Sequence, residues 1–106
     1  MLRRKADFDA IGRHGTVRSS RLLVLRSMRT SGSRTRIGLS TPRALGGAVQ
    51  RNRVRRRLRD LLREQLEATE GGLDLLLIAR SEAGTATFSE LREALRSLLE
   101  RSGIGG

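Results

Sequence analysis

The sequence predicts an α/β (α+β) fold, a two-layer sandwich in which helices pack on a mixed sheet. Short strand-like segments fall near Arg21–Met28 and Thr35–Ser40, and a nearly continuous apolar stretch runs from Leu73 to Ala79. Two longer segments of helical period frame that last stretch. A chain of 106 residues has room for one core, so a single domain is expected over 1–106, without a second catalytic domain.

Taken in order, Lys5 to Ile11 suits a short helix that buries Phe8 and Ile11, closed by Gly12 or Gly15. Leu22, Leu23, Val24 and Leu25, followed by Arg26, read as a strand; Thr30 to Ser33 reads as a turn. Thr35 to Ser40 then alternates, with Ile37 and Leu39 on one side and Arg36 and Gly38 on the other. Adjacent in sequence, these two strands are expected to form a hairpin. Pro42 and Gly46-Gly47 mark a loop. Beyond it Val54, Leu58, Leu61, Leu62 and Leu66 fall at i, i+4, i+7, i+8 and i+12, one apolar stripe on a helix that Gly71-Gly72 is expected to end. Leu73 to Ala79 suits a central strand, apolar on both faces. The last helix opens at Thr87-Phe88-Ser89-Glu90, a capping box, and carries Phe88, Leu91, Leu95, Leu98 and Leu99 on one side.

Charge narrows the function. The chain holds 22 basic and 11 acidic residues, net +11. Residues 1–63 carry 18 basic and three acidic residues, whereas residues 64–106 carry four and eight. All but one of the basic residues are arginine, which a genome rich in G and C would favour, yet codon usage does not explain the asymmetry. A polyanion is the partner that tolerates such an excess best. There is no cysteine, which excludes disulfides, thiolate metal sites and a cysteine nucleophile. The longest apolar run, Leu75 to Ala79, is far short of the roughly 20 residues that span a bilayer. A cytoplasmic protein with no membrane partner is expected.

The charge concentrates between Arg51 and Arg59, where six of nine residues are arginine. On a helix, Asn52, Arg56, Arg59 and Arg63 project away from the Val54/Leu58 stripe, with Arg53 and Arg57 flanking it on one side and Arg51 and Arg55 on the other. Six like-charge pairs at i,i+3 and i,i+4 each cost about 0.2–0.5 kcal/mol, and cations at a helix N-terminus oppose its dipole. Phosphates would reverse the sign of both terms. A solvated charged face would normally intersperse acids, but none occurs between Asp9 and Asp60. Nucleic acid is therefore the expected ligand; composition does not separate RNA from DNA. Nothing supports catalysis by the chain itself. His14 beside Gly15 suits a turn residue, and Glu64, Glu67 and Glu70 are spread along a helix as solubilising charges.

Arg51-Asn52-Arg53, followed by Val54-Arg55-Arg56 and Arg59 and preceded by Gly47-Ala48-Val49, closely resembles the RNR signature of the bacterial ribonuclease P protein family. Asp7-Phe8, His14-Gly15-Thr16, Ile37-Gly38-Leu39-Ser40 and Ile78-Ala79-Arg80 also sit where that family has similar segments, so the resemblance spans about 95 of the 106 residues. The resemblance implies a mixed four-stranded sheet with a left-handed βαβ crossover. It implies a protein subunit that binds a catalytic ribonuclease P RNA and the 5′ leader of precursor tRNA, in a holoenzyme that removes the leader. In it the RNA is the catalyst, and Mg2+ is bound mainly by that RNA. By matching position, Arg51, Asn52, Arg53, Arg55, Arg56 and Arg59 would contact the RNA subunit, while Phe8, Leu23 and Arg26 would line the leader cleft.

Three departures stand out. Family positions that are often aromatic along the cleft appear as Gly12, Leu23 and Arg26, and the chain has no Tyr or Trp. Thr41-Pro42-Arg43-Ala44 replaces a frequent pair of lysines, and Arg57 replaces a frequent apolar residue. Two other readings compete at this point. A structural RNA-binding protein of ribosomal type would need the same charge. A DNA-binding module would place the arginine helix in a major groove, which the lack of a helix-turn-helix partner disfavours, so no DNA partner is expected.

Overall fold

The first two strands of the sheet are joined by a turn that Ser20 governs. In a computed structural model of the chain, which describes residues 15–67, 69 and 71–104, the Ser20 hydroxyl accepts from the backbone N–H of Leu22 and Leu23, and its own N–H donates to the Leu23 carbonyl at 2.8 Å. Strands β1 (Thr16–Ser19) and β2 (Leu23–Arg29) therefore form an antiparallel hairpin. β1 has no apolar alternation and is mostly exposed, so nothing in its sequence announces it.

β3 (Arg36–Ser40) does not pair with β2, contrary to the hairpin expected from sequence order. The sheet order is β1-β2-β4-β3, with β4 (Leu73–Ala79) antiparallel to β2 and parallel to β3. The physical reason is the composition of β4. A strand so apolar is poorly served at an edge, and insertion between β2 and β3 pairs both of its sides. Its central place in the sheet is the one its sequence predicts.

The insertion also explains Gly71-Gly72. The helix preceding β4 ends at Leu66, so the glycines do not terminate it as expected. They pass instead under the β2–β3 loop, where Gly72 accepts from the Thr30 N–H at 2.7 Å and donates to the Arg34 carbonyl at 3.2 Å. A Cβ on Gly71 would stand 1.8 Å from the Ser33 carbonyl oxygen, and Gly72 has φ +88°. Close backbone approach, not helix capping, selects glycine here.

Two helices cover one face of the sheet. After a 3₁₀ turn at Arg43–Leu45, helix α1 (Ala48–Leu66) makes the βαβ crossover from β3 to β4 and buries Val54, Leu58, Leu61 and Leu62, with Leu66 partly buried. A second 3₁₀ turn at Ser81–Gly84 leads to α2 (Phe88–Arg101), which buries Leu91, Leu95, Leu98 and Leu99. Its capping box forms as predicted: Thr87 Oγ1 accepts from the Glu90 N–H at 3.0 Å and Glu90 Oε1 from the Thr87 N–H at 2.9 Å.

Register fixes the two faces. Leu23 and Leu25 of β2 lie opposite Ala79 and Leu77 of β4, and these four are fully buried in the core with the helix stripes. Val24, Arg26 and Met28 alternate onto the second face, opposite Ile78, Leu76 and Asp74. All but the buried Asp74 are half-buried. The predicted helix at Lys5 to Ile11 lies outside the described residues. No described helix is long and apolar enough to cross a membrane.

Candidate RNA interface

Helix α1 starts without a cap. Gly47 at its N-cap offers no side chain, no acid lies in the first turn, and Val49 beside it is 83% exposed. The helix is held at this end by neighbours. Gln50 Nε2 donates to the Gly84 carbonyl at 2.9 Å, tying the first turn to the second 3₁₀ turn.

Thr41, just beyond β3 and 4% exposed, organises one flank of the arginine cluster. Arg51 Nε donates to its carbonyl at 2.9 Å, and an Arg55 terminal nitrogen donates to its hydroxyl. Arg55 also donates to Asn52 Oδ1 at 3.0 Å. These contacts fix Arg51 and Arg55, both half-buried, against the end of the sheet. Arg53, Arg56 and Arg59 are exposed and make no hydrogen bond or ion pair with any described residue. Arg57, half-buried on the opposite flank, likewise has none, and neither has the exposed Arg63. The six residues singled out in the sequence thus share one helix but divide in role. Three form a braced set around Thr41, and three are open donors along about 9 Å of helix. Thr41 itself was not legible as part of the site, because its part depends on the chain reversal that places it beside Arg51 and Arg55.

The second group of candidates does not come together. Phe8 lies outside the described residues. Leu23, expected to line a cleft with Arg26, is instead fully buried under the helices. A strand alternates with period two, so positions 23 and 26 cannot share a face. Arg26 lies on the other face, where its neighbours are Val24, Met28, Leu76 and Ile78. Its Nε is buried and without a hydrogen-bond partner among the described residues. At the end of this face the Arg36 guanidinium pairs with the buried Asp74 carboxylate through Nε to Oδ1 at 2.9 Å and Nη2 to Oδ2 at 2.6 Å. Starting from Arg26, a count of every second residue would have found Val24 and Met28.

The acidic half is occupied elsewhere. Glu64 pairs with Arg92 of α2 at 3.2 Å, and Arg96 bridges Glu93 and Glu100. No group of three His, Asp or Glu side chains able to hold a metal occurs among the described residues. The arrangement is suited to gripping anions through forked donors, not to making a nucleophile.

Known proteins with this pattern bear a common name. A family profile described as Ribonuclease P matches residues 1–103. The ribonuclease P protein component of Clostridioides difficile is 30% identical over 104 residues, spanning 97% of this chain and 91% of that protein. That of an Exiguobacterium species is 34% identical over 103 residues, spanning 97% and 90%. The solved RNase P protein from Thermotoga maritima superimposes with a TM-score of 0.82 at 27% identity, covering 94% of each chain. An arginine helix bridging parallel strands of a four-stranded sheet and a sequence match along nearly the whole chain agree, and the chain belongs to the family of ribonuclease P protein components.

Proposed function

We propose that this chain is the protein subunit of a ribonuclease P ribonucleoprotein that binds both the catalytic RNA and the 5′ leader of precursor tRNA, assisting endonucleolytic removal of the leader. The observation that carries the reading is the open set Arg53, Arg56 and Arg59, three guanidinium groups held at helical spacing with no internal partner among the described residues. Arg51, Asn52 and Arg55, braced on Thr41, present their remaining donors in fixed positions beside that set. Phosphate oxygens of a folded RNA satisfy all of them and offset the repulsion that crowds the helix.

In this reading the leader runs over the second face of the sheet. Val24, Met28, Leu76 and Ile78 give its bases apolar contact, and the guanidinium of the half-buried Arg26 donates to a phosphate or base edge. Phe8 adds the aromatic surface that the rest of the cleft lacks. The protein positions substrate and RNA, and the bond is broken in the RNA. In this reading Mg2+ is bound mainly by the RNA, and no step is routed through the protein. The site of action is the cytoplasm.

Competition tests the RNA preference directly. A bacterial ribonuclease P RNA is expected to displace a labelled RNA from the protein at concentrations about tenfold or more below those of duplex DNA. Equal displacement by the two would contradict the reading.

A further inference from the structure

A groove of 360 Å³ runs between α1 and β3, the edge strand, on the helix-covered side of the sheet. Thr35, Ile37 and Leu39 line it from the strand, Leu62 from the helix, and Arg59 and Arg63 stand beside them. The core leaves Ile37 and Leu39 half-buried, so apolar surface remains open at this edge. Its volume lies at the small end of the roughly 300–1,000 Å³ typical of ligand sites, room for one flat ring system.

Arg59 and Arg63 are neighbours at i,i+4 and repel each other. Acids lie within reach in sequence, at Asp60 and Glu67, yet neither arginine makes an ion pair or hydrogen bond with a described residue. An occupant that is apolar on its faces and anionic at its flanks satisfies both halves of this groove. A nucleotide of single-stranded RNA has that chemistry. Arg59 is also the last member of the open arginine set, so an RNA strand following Arg53 and Arg56 arrives at the groove within about 5 Å of helix rise. With no Tyr or Trp and only two Phe in the chain, base contact leans on aliphatic and guanidinium surfaces such as these.

We infer that this groove receives one unpaired nucleobase of the partner RNA, stacked on Ile37, Leu39 and Leu62, with its flanking phosphates held by Arg59 and Arg63. The inference rests on the RNA-binding reading above and adds to it a base-reading site beside the phosphate-gripping helix. An acidic peptide laid along the β3 edge is the competing occupant.

A photo-crosslinking residue bearing benzophenone, placed at Thr35 or at Arg56 in the full chain bound to a bacterial ribonuclease P RNA, separates the possibilities. The Thr35 probe is expected to label a single unpaired nucleotide, and the Arg56 probe to label RNA nearby. Labelling from Arg56 without any from Thr35, or labelling of paired nucleotides only, overturns the groove and leaves the RNA reading standing. No labelling from either probe removes both. As an independent measure, Ile37→Thr keeps a β-branched residue in the strand and removes part of the apolar surface. It is expected to weaken RNA affinity about tenfold with an unchanged salt slope, and Arg63→Ala to lower the slope by about one. Parental affinity in both folded variants would contradict the inference.

Discussion

Arg56 has no partner in the described structure, and Arg51 has one within 2.9 Å. That difference makes a prediction for each. Arg56→Ala is expected to leave the melting temperature unchanged while weakening RNA binding and lowering the slope of log affinity against log salt by about one. Arg51→Ala is expected to lower the melting temperature as well, because it frees the Thr41 carbonyl; thermal denaturation beside an affinity titration checks both. Arg36 and Asp74 show a second use of arginine. Asp74 is 1% exposed, so Arg36→Ala leaves a carboxylate buried without its bidentate partner and is expected to cost about 3 kcal/mol in denaturant unfolding. At this scale the sequence was legible where helix period applies. The division of Arg51 to Arg59 around the Val54/Leu58 stripe follows from spacing alone. It failed at Leu23, where likeness to a family position was followed against the strand's own alternation, which puts 23 and 25 inside and 24 and 26 outside.

Among the elements, α2 was the most legible, since its start is written in four residues and its stripe in five. Thr87→Ala removes the side-chain half of the capping box and is expected to cost about 1 kcal/mol, read from denaturant unfolding. The same box gives a pH dependence. The backbone N–H and then the hydroxyl of Thr87 hold the Glu90 carboxyl below its usual range. Because the folded value is the lower one, the stabilisation is complete above the ordinary glutamate value and is lost as pH falls through that value to the depressed one. Circular dichroism of α2 content in acid should show this loss shifted in Thr87→Ala. The strands were less legible. β1 carries only Thr-Val-Arg-Ser, exposed at an edge, where no burial pattern is required. The pairing of β2 with β4 instead of β3 is a long-range choice that local pattern does not encode. Its local traces are the apolar composition of β4 and Gly71-Gly72, whose need for glycine arises only once the β2–β3 loop passes overhead. Gly71→Ala is expected to destabilise the fold markedly although it touches no core side chain.

For the whole molecule, the charge asymmetry read from the sequence becomes a division of labour. The basic N-terminal part supplies the open arginine set and Val24, Arg26 and Met28 of the second sheet face, and in the acidic C-terminal part Glu64, Glu93 and Glu100 pair with Arg92 and Arg96. The lack of Tyr and Trp then has a consequence for substrate binding. With aliphatic and guanidinium contacts in place of aromatic stacking, leader affinity is expected to fall steeply between about 50 and 200 mM salt and to vary little with leader sequence. The most direct test of the central claim is cleavage of a precursor tRNA by a bacterial ribonuclease P RNA at magnesium concentrations where the RNA alone is nearly inactive. Adding the protein is expected to restore cleavage at the mature 5′ end, and a folded variant with Arg53, Arg56 and Arg59 all replaced by alanine is expected to leave the RNA inactive. Equal cleavage with no protein, the protein and the variant would contradict it.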